Sequence, residues 1–234
     1  YNLPKKLLFK KLENFQKKIL INNINTHSIF TDSYTRLSHL SNPDQDIQNY
    51  WIKKFKLFID MALFLGADNF GSHLGISSIG NNHHNIEVLN RTIKNWDIIG
   101  EYAYKKKLPS LSWEPMSIKR EFGESIKKTI NINNKLNKIN NQLFELCLDV
   151  DHGDKEISKF NSDPYNWLKL LTNISYCIHL KQVHKNYSGS HLPFTKINNS
   201  KGIIKATRII NLLNKFAKPK KKIYLVLEHS FKER

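Results

Sequence analysis

Six residues able to bind metal or move protons stand at or near the C-terminal ends of short β-rich runs: His27, His73, Glu114, Asp149, His179 and Glu228. The runs are Ile24 to Phe30, Ala67 to His73, Leu108 to Glu114, Leu143 to Asp149, Ile174 to Leu180 and Ile223 to Glu228. Brought together, three carboxylates and an imidazole give hard oxygen donors plus one nitrogen, a set that suits Mn²⁺, Mg²⁺, Co²⁺ or Zn²⁺. Such an ion would offset the carboxylate repulsion and polarise the carbonyl and hydroxyl of a ketose. A carboxylate could then remove the proton on the neighbouring carbon, the step that isomerisation and epimerisation share. Taken singly, each residue has a plainer explanation. His27 or His73 is more often a satisfied polar residue near a strand end, Glu114 could cap a loop, Asp149 could fix the turn before Gly153, and Glu228 could pair with a surface lysine. The coincidence of six such strand ends carries the chemical reading.

A helical pattern follows each run, the rhythm of a parallel α/β protein. If the sheet is a barrel, its carboxyl ends converge on one mouth. The helix between Ser41 and Gly66 has the clearest signals: Asn42 as cap, Pro43 in the first turn, and Ile47, Trp51, Phe55, Phe58 and Ala62 at helical spacing. Further helices are expected over Lys5 to Ile19, Ile86 to Tyr104, Phe122 to Leu136 and Lys201 to Phe216, with another opening at Asp163-Pro164. Gly75 to His84 and Lys181 to Asn199 are polar and follow strands, so both read as active-site loops. No G-x-G-x-x-G follows a strand, which weighs against a dinucleotide-binding sheet.

The 234 residues, 40% of them apolar, suit a single domain with a substantial core. A net charge of +17, from 37 Lys and Arg against 20 Asp and Glu, would attract phosphate or nucleic acid. Lys, Asn and Ile are enriched along the whole chain, however, and compositional drift explains the excess ahead of a functional basic surface. Cys147 and Cys177 each sit inside an apolar run and read as small core residues in a reducing compartment. With no apolar stretch of the roughly 18 to 20 residues a membrane helix needs, a cytoplasmic protein without membrane partners is expected.

These segments resemble the xylose isomerase-like superfamily, from Thr26-His27-Ser28 to Leu227-Glu228-His229. The resemblance implies a (β/α)8 barrel lacking its first two strands in this chain, one N-terminally incomplete domain over residues 1–234. It also implies that Glu114, Asp149, His179 and Glu228 bind one divalent metal, with Glu114 and Glu228 as the acid-base pair. Asp149 and His152 match the family's D-x-x-H motif, and His152 would contact substrate oxygen. Around Trp113-Glu114-Pro115-Met116-Ser117 and Ser190-His191-Leu192-Pro193 the chain is similar to epimerases and isomerases of tetrulose phosphates. That likeness implies a sugar phosphate as the small-molecule partner, with His73, His27, Arg120 and His191 as further substrate contacts, and leaves homo-oligomerisation open. The alternative is a zinc-dependent endonuclease IV-like enzyme acting on abasic DNA, in which His27 and His73 would also be ligands. Gly189-Ser190-His191 lacks the aspartate of that family's D-x-H.

Overall fold

In the computed structural model, residues 3–31, 40–77, 86–118, 120–153, 158–184 and 191–228 are described. The elements are α1 (Lys5–Ile21), β1 (Ser28–Phe30), α2 (Gln45–Phe64), β2 (Asn69–His73), α3 (Ile86–Lys105), β3 (Ser110–Glu114), α4 (Ile126–Ile139), β4 (Phe144–Asp149), α5 (Pro164–Leu171), β5 (Ser175–Leu180), α6 (Lys196–Lys201), α7 (Ala206–Phe216) and β6 (Tyr224–Leu227). All six strands pair in parallel, in sequence order from β1 to β6. A flat sheet of this order would separate β1 from β6 by about 24 Å at the usual strand spacing. Instead His27, just before β1, stacks on Tyr224 of β6 with ring centroids 4.5 Å apart, and the Tyr176 hydroxyl donates to the His27 carbonyl at 2.5 Å. The sheet therefore curls until its first and last strands meet through side chains.

Helices cover the outer face, where Phe55, Phe58, Phe70, Trp96 and Phe144 interlock in one large core. The concave face holds a smaller cluster of Cys147, Tyr176 and Cys177, with Phe30, Tyr224 and Val226 against it. β1 and β6 are the edges, and the alternate residues Leu225 and Leu227 of β6 are 42% and 64% exposed. Among the described residues, no helix is long and apolar enough to cross a membrane.

Helix starts differ from the sequence expectation for local reasons. α2 is capped by Asp44, whose carboxylate accepts from the amides of Asp46 and Ile47, while Asn42 caps the turn before it by accepting from the Asp44 amide. α4 begins after Ser125 rather than at Phe122, because Gly123 has φ +94° and cannot continue a helix. The helix expected from Lys201 starts only at Ala206, as α7: the separate α6 stops at Lys201, and its C-cap Gly202 lies so close to Gln182 that any side chain there would collide with it.

Gly71 gives the interior its tightest approach. A Cβ there would lie 2.3 Å from Phe30 Cδ2 and 2.6 Å from Ser112 Oγ. Phe30 in turn meets His73 and His179 edge-on, with centroids 5.9 and 6.0 Å apart. Gly71→Ala should therefore displace Phe30 and cost about 1–3 kcal/mol, read as a lower urea midpoint at unchanged slope.

Candidate active site

Strand register gathers the polar residues. His73 pairs with Glu114 across β2 and β3, Asp149 with His179 across β4 and β5, and Leu180 with Leu227, immediately before Glu228. Trp113 fixes β3 from the outside by donating its indole N–H to Asn133 of α4 at 3.0 Å, so Glu114 projects inward. After β4 the chain turns tightly: Asp149 Oδ1 accepts from the Asp151 amide at 2.8 Å, and Gly153, at φ +107°, redirects the backbone. His152 is thereby aimed back at the cluster, its Nδ1 donating to the Pro115 carbonyl at 2.9 Å.

Ligand atoms of Glu114, Asp149 and His179 all lie within 4.8 Å of one another. His179 Nδ1 is 3.7 Å from Glu114 Oε1 and 3.6 Å from Glu228 Oε2. His73 Nε2 stands 3.4 Å from Glu114 Oε2, and His152 reaches both Glu114 and Asp149, at 3.4 and 3.6 Å. Glu228 stands at the rim, its side chain 36% exposed. Burial would raise the pKa of Glu114, but His152, His179 and His73 outweigh it and hold the carboxyl well below the usual carboxylate range. Burial likewise opposes charge on His179, yet Cys177 and Glu114 lift its pKa to about 11. The Nδ1 of His179 is buried without a hydrogen-bond partner, between carboxylates too far away to accept from it. An unsatisfied nitrogen facing oxygen donors is what a cation-binding set leaves open, so these residues fit a divalent ion.

The cluster also contains a residue the sequence reading had assigned to a polar loop. Lys181 has a side chain 1% exposed, with Nζ 2.6 Å from Asp149 Oδ2, 3.1 Å from Glu228 Oε2 and 3.0 Å from His191 Nε2. Burial works against its charge, but Asp149 and Glu228 prevail and raise its pKa. The signal for it was strand periodicity: two residues beyond His179, Lys181 continues the inward face past the end of β5. His191 joins the same group, 3.5 Å from Glu228 Oε1.

Two expected residues stand apart. His27 lies before β1 rather than at its carboxyl end, with Nδ1 against Ser28 Oγ at 2.9 Å and its ring on Tyr224, at the start of β6. It stands at the start of β1 and not at its carboxyl end, and among the described residues no hydrogen bond or ion pair joins it to Glu114, Asp149 or Glu228. Arg120 follows β3 on a loop held by the Ser77 amide, which donates to its carbonyl at 2.8 Å. Its Nε is buried without a partner, and among the described residues no ion pair links it to the cluster. Of the two expected active-site loops, residues 78–85 and 185–190 lie outside the described residues.

Solved structures share this architecture. A putative xylose isomerase from Rhodospirillum rubrum superposes with a TM-score of 0.85 at 19% identity, over 99% of this chain and 77% of that one. A D-tagatose 3-epimerase-like protein gives 0.74 at 13% identity, over 94% and 76%, and an L-ribulose 3-epimerase 0.66 at 15%, over 94% and 67%. The curled parallel sheet is thus of the xylose isomerase-like barrel type. No family model matches the chain. In sequence, the chain is similar to the D-erythrulose 1-phosphate 3-epimerase of Brucella abortus, 32% identical over 209 residues. That alignment takes in 87% of this chain and 66% of the relative's length.

Proposed function

We propose that the protein is an isomerase-class enzyme, a metal-dependent 3-epimerase of a tetrulose phosphate that works by proton abstraction next to the ketose carbonyl. The observation that carries this reading is the convergence of Glu114, Asp149 and His179 within 4.8 Å, with Glu228 beside them, in a chain similar to a tetrulose phosphate epimerase. The same reading takes residues 1–234 as one domain and the six strands as the last six of an eight-stranded barrel.

Glu114, Asp149, His179 and Glu228 would hold the divalent ion, which when bound polarises the ketose carbonyl and its neighbouring hydroxyl. Glu114, kept ionised by its histidine neighbours, suits the general base that takes the proton from the carbon beside the carbonyl. The electron pair of the broken C–H bond moves into the enediolate. Glu228, whose Oε2 lies 3.6 Å from the same His179 Nδ1 that Glu114 approaches, suits the acid that returns a proton to the opposite face. His152 faces the substrate oxygens, and His73 supports Glu114. His191 and Arg120 are the proposed phosphate contacts. The endonuclease reading is not favoured, since the relatives named above are sugar enzymes.

The test compares chelator-treated protein with the same protein given Mn²⁺ or Zn²⁺, on tetrulose phosphates, pentulose phosphates and DNA with an abasic site. Chelation should reduce epimerisation by about 10³-fold, the several kcal/mol a Lewis acid supplies, and metal should restore it. Metal-dependent incision of DNA without sugar turnover would overturn the proposal.

A further inference from the structure

Cys147 and Cys177 are register partners on β4 and β5, directly beneath the Asp149 and His179 pair on the same inward face. Both are free and nearly sealed from solvent, 0% and 3% exposed. Simple core packing would explain buried cysteines, but not their relation to His179. Cys147 Sγ lies 3.2 Å from His179 Nε2, and ligand atoms of Cys147, Cys177 and His179 all fall within 4.8 Å of one another. The imidazole thus stands between two donor sets of opposite character: Nδ1 faces the carboxylates of Glu114 and Glu228, and Nε2 faces sulfur.

We propose that Cys147, Cys177 and His179 form a second metal site, selective for a thiophilic divalent cation such as Zn²⁺ or Cd²⁺. Each thiol and the protonated Nε2 would release its proton to solvent as its bond to the metal forms, leaving two sulfurs and one nitrogen as donors. Two thiolates balance the charge of a divalent ion, so nothing uncompensated is buried. Soft sulfur donors select this ion over Mn²⁺ or Mg²⁺. The site excludes the other one: a neutral imidazole has one bare nitrogen, so ligation through Nε2 leaves the proton on Nδ1, which then cannot bind a cation among the carboxylates. A thiophilic ion therefore switches the mouth off from below. This inhibition rests on the epimerase reading; binding at the thiols does not.

The experiment titrates the metal-free protein with Cd²⁺ while recording thiolate-to-metal charge transfer in the ultraviolet and proton release in weak buffer. One equivalent should give the band with at least two protons released. Preloading with Mn²⁺ should weaken Cd²⁺ binding at least about tenfold, one unit in log K by competition for one imidazole. The Cys147→Ser, Cys177→Ser double variant should lose the band while keeping a cooperative thermal transition. If that variant fails to fold, the wild-type comparison of Cd²⁺ with Mn²⁺ decides alone. Cd²⁺ bound without a charge-transfer band, or bound together with Mn²⁺ without mutual weakening, would overturn the inference. A band in a protein that turns over no sugar would overturn the epimerase reading and leave this site standing; sugar turnover with no band would do the reverse.

Discussion

Under the proposed epimerase reading, Glu114→Gln should lower kcat on a tetrulose phosphate by at least about 10³-fold, the upper part of the range for losing a general base, because the same side chain is also a proposed metal ligand. The substitution keeps shape and removes charge. Glu114 is buried and held ionised by His152, His179 and His73, whose ring nitrogens lie 3.4, 3.7 and 3.4 Å from its oxygens. An amide there offers a weak ligand and no base, while Trp113 still anchors β3 through Asn133. Thermal unfolding should remain cooperative, so that lost turnover reports chemistry. Steady-state kinetics with saturating Mn²⁺ provides the check, and a variant keeping a tenth of the wild-type kcat would remove Glu114 from the mechanism.

Lys181→Met should have the largest effect on stability, about 3 kcal/mol in chelator. Removing one partner of a buried ion pair costs about 3–5 kcal/mol, because the other charge stays behind unpaired. Asp149 loses a partner 2.6 Å away at a site 1% exposed to solvent, which is the full case. Glu228, 36% exposed, recovers part of its loss from water, which places the total at the low end. Against three carboxylates, the metal-free cluster sets one ammonium and the imidazolium of His179, so it lacks one positive charge, and the variant without the ammonium lacks two. Mn²⁺ should accordingly stabilise the methionine variant more than the wild type. Urea denaturation of both proteins, with chelator and with Mn²⁺, measures the four stabilities. Equal stability of the two proteins in chelator would show that the buried ammonium is not compensating the carboxylates.

What the sequence made legible follows from which forces are local. Glu114, Asp149 and His179 were readable because a polar residue closing an apolar run marks where a strand leaves the core, and parallel pairing aligns those ends. His27 was misplaced because Ile24 to Phe30 has strand composition, whereas Ile24, beyond the end of α1, is still tied back to it. Its amide donates to the Ile19 carbonyl at 3.0 Å, and Asn23 takes φ +53°, so the strand starts only at Ser28. Lys181 and Gln182 looked like loop residues because polarity predicts exposure; both are fully buried, held by partners distant in sequence. The alignment of Cys147 with Cys177 was hidden as well, since it depends on a register shift between Leu146 and Cys147 that nothing in the composition signals. Leu225 and Leu227 err in the other direction: apolar side chains on a strand predict burial, yet they are exposed. Residue type locates strand ends well, while partners set by long-range register do not show in a single sequence.

The most direct test of the proposed chemistry is proton NMR of D-erythrulose 1-phosphate incubated with the Mn²⁺-loaded protein in deuterium oxide. The expected result is loss of the signal from the hydrogen on the carbon beside the carbonyl as the epimer appears, with exchange suppressed in Glu114→Gln. Appearance of the epimer with that hydrogen fully retained, or no exchange and no epimer at all, would contradict proton abstraction at this site.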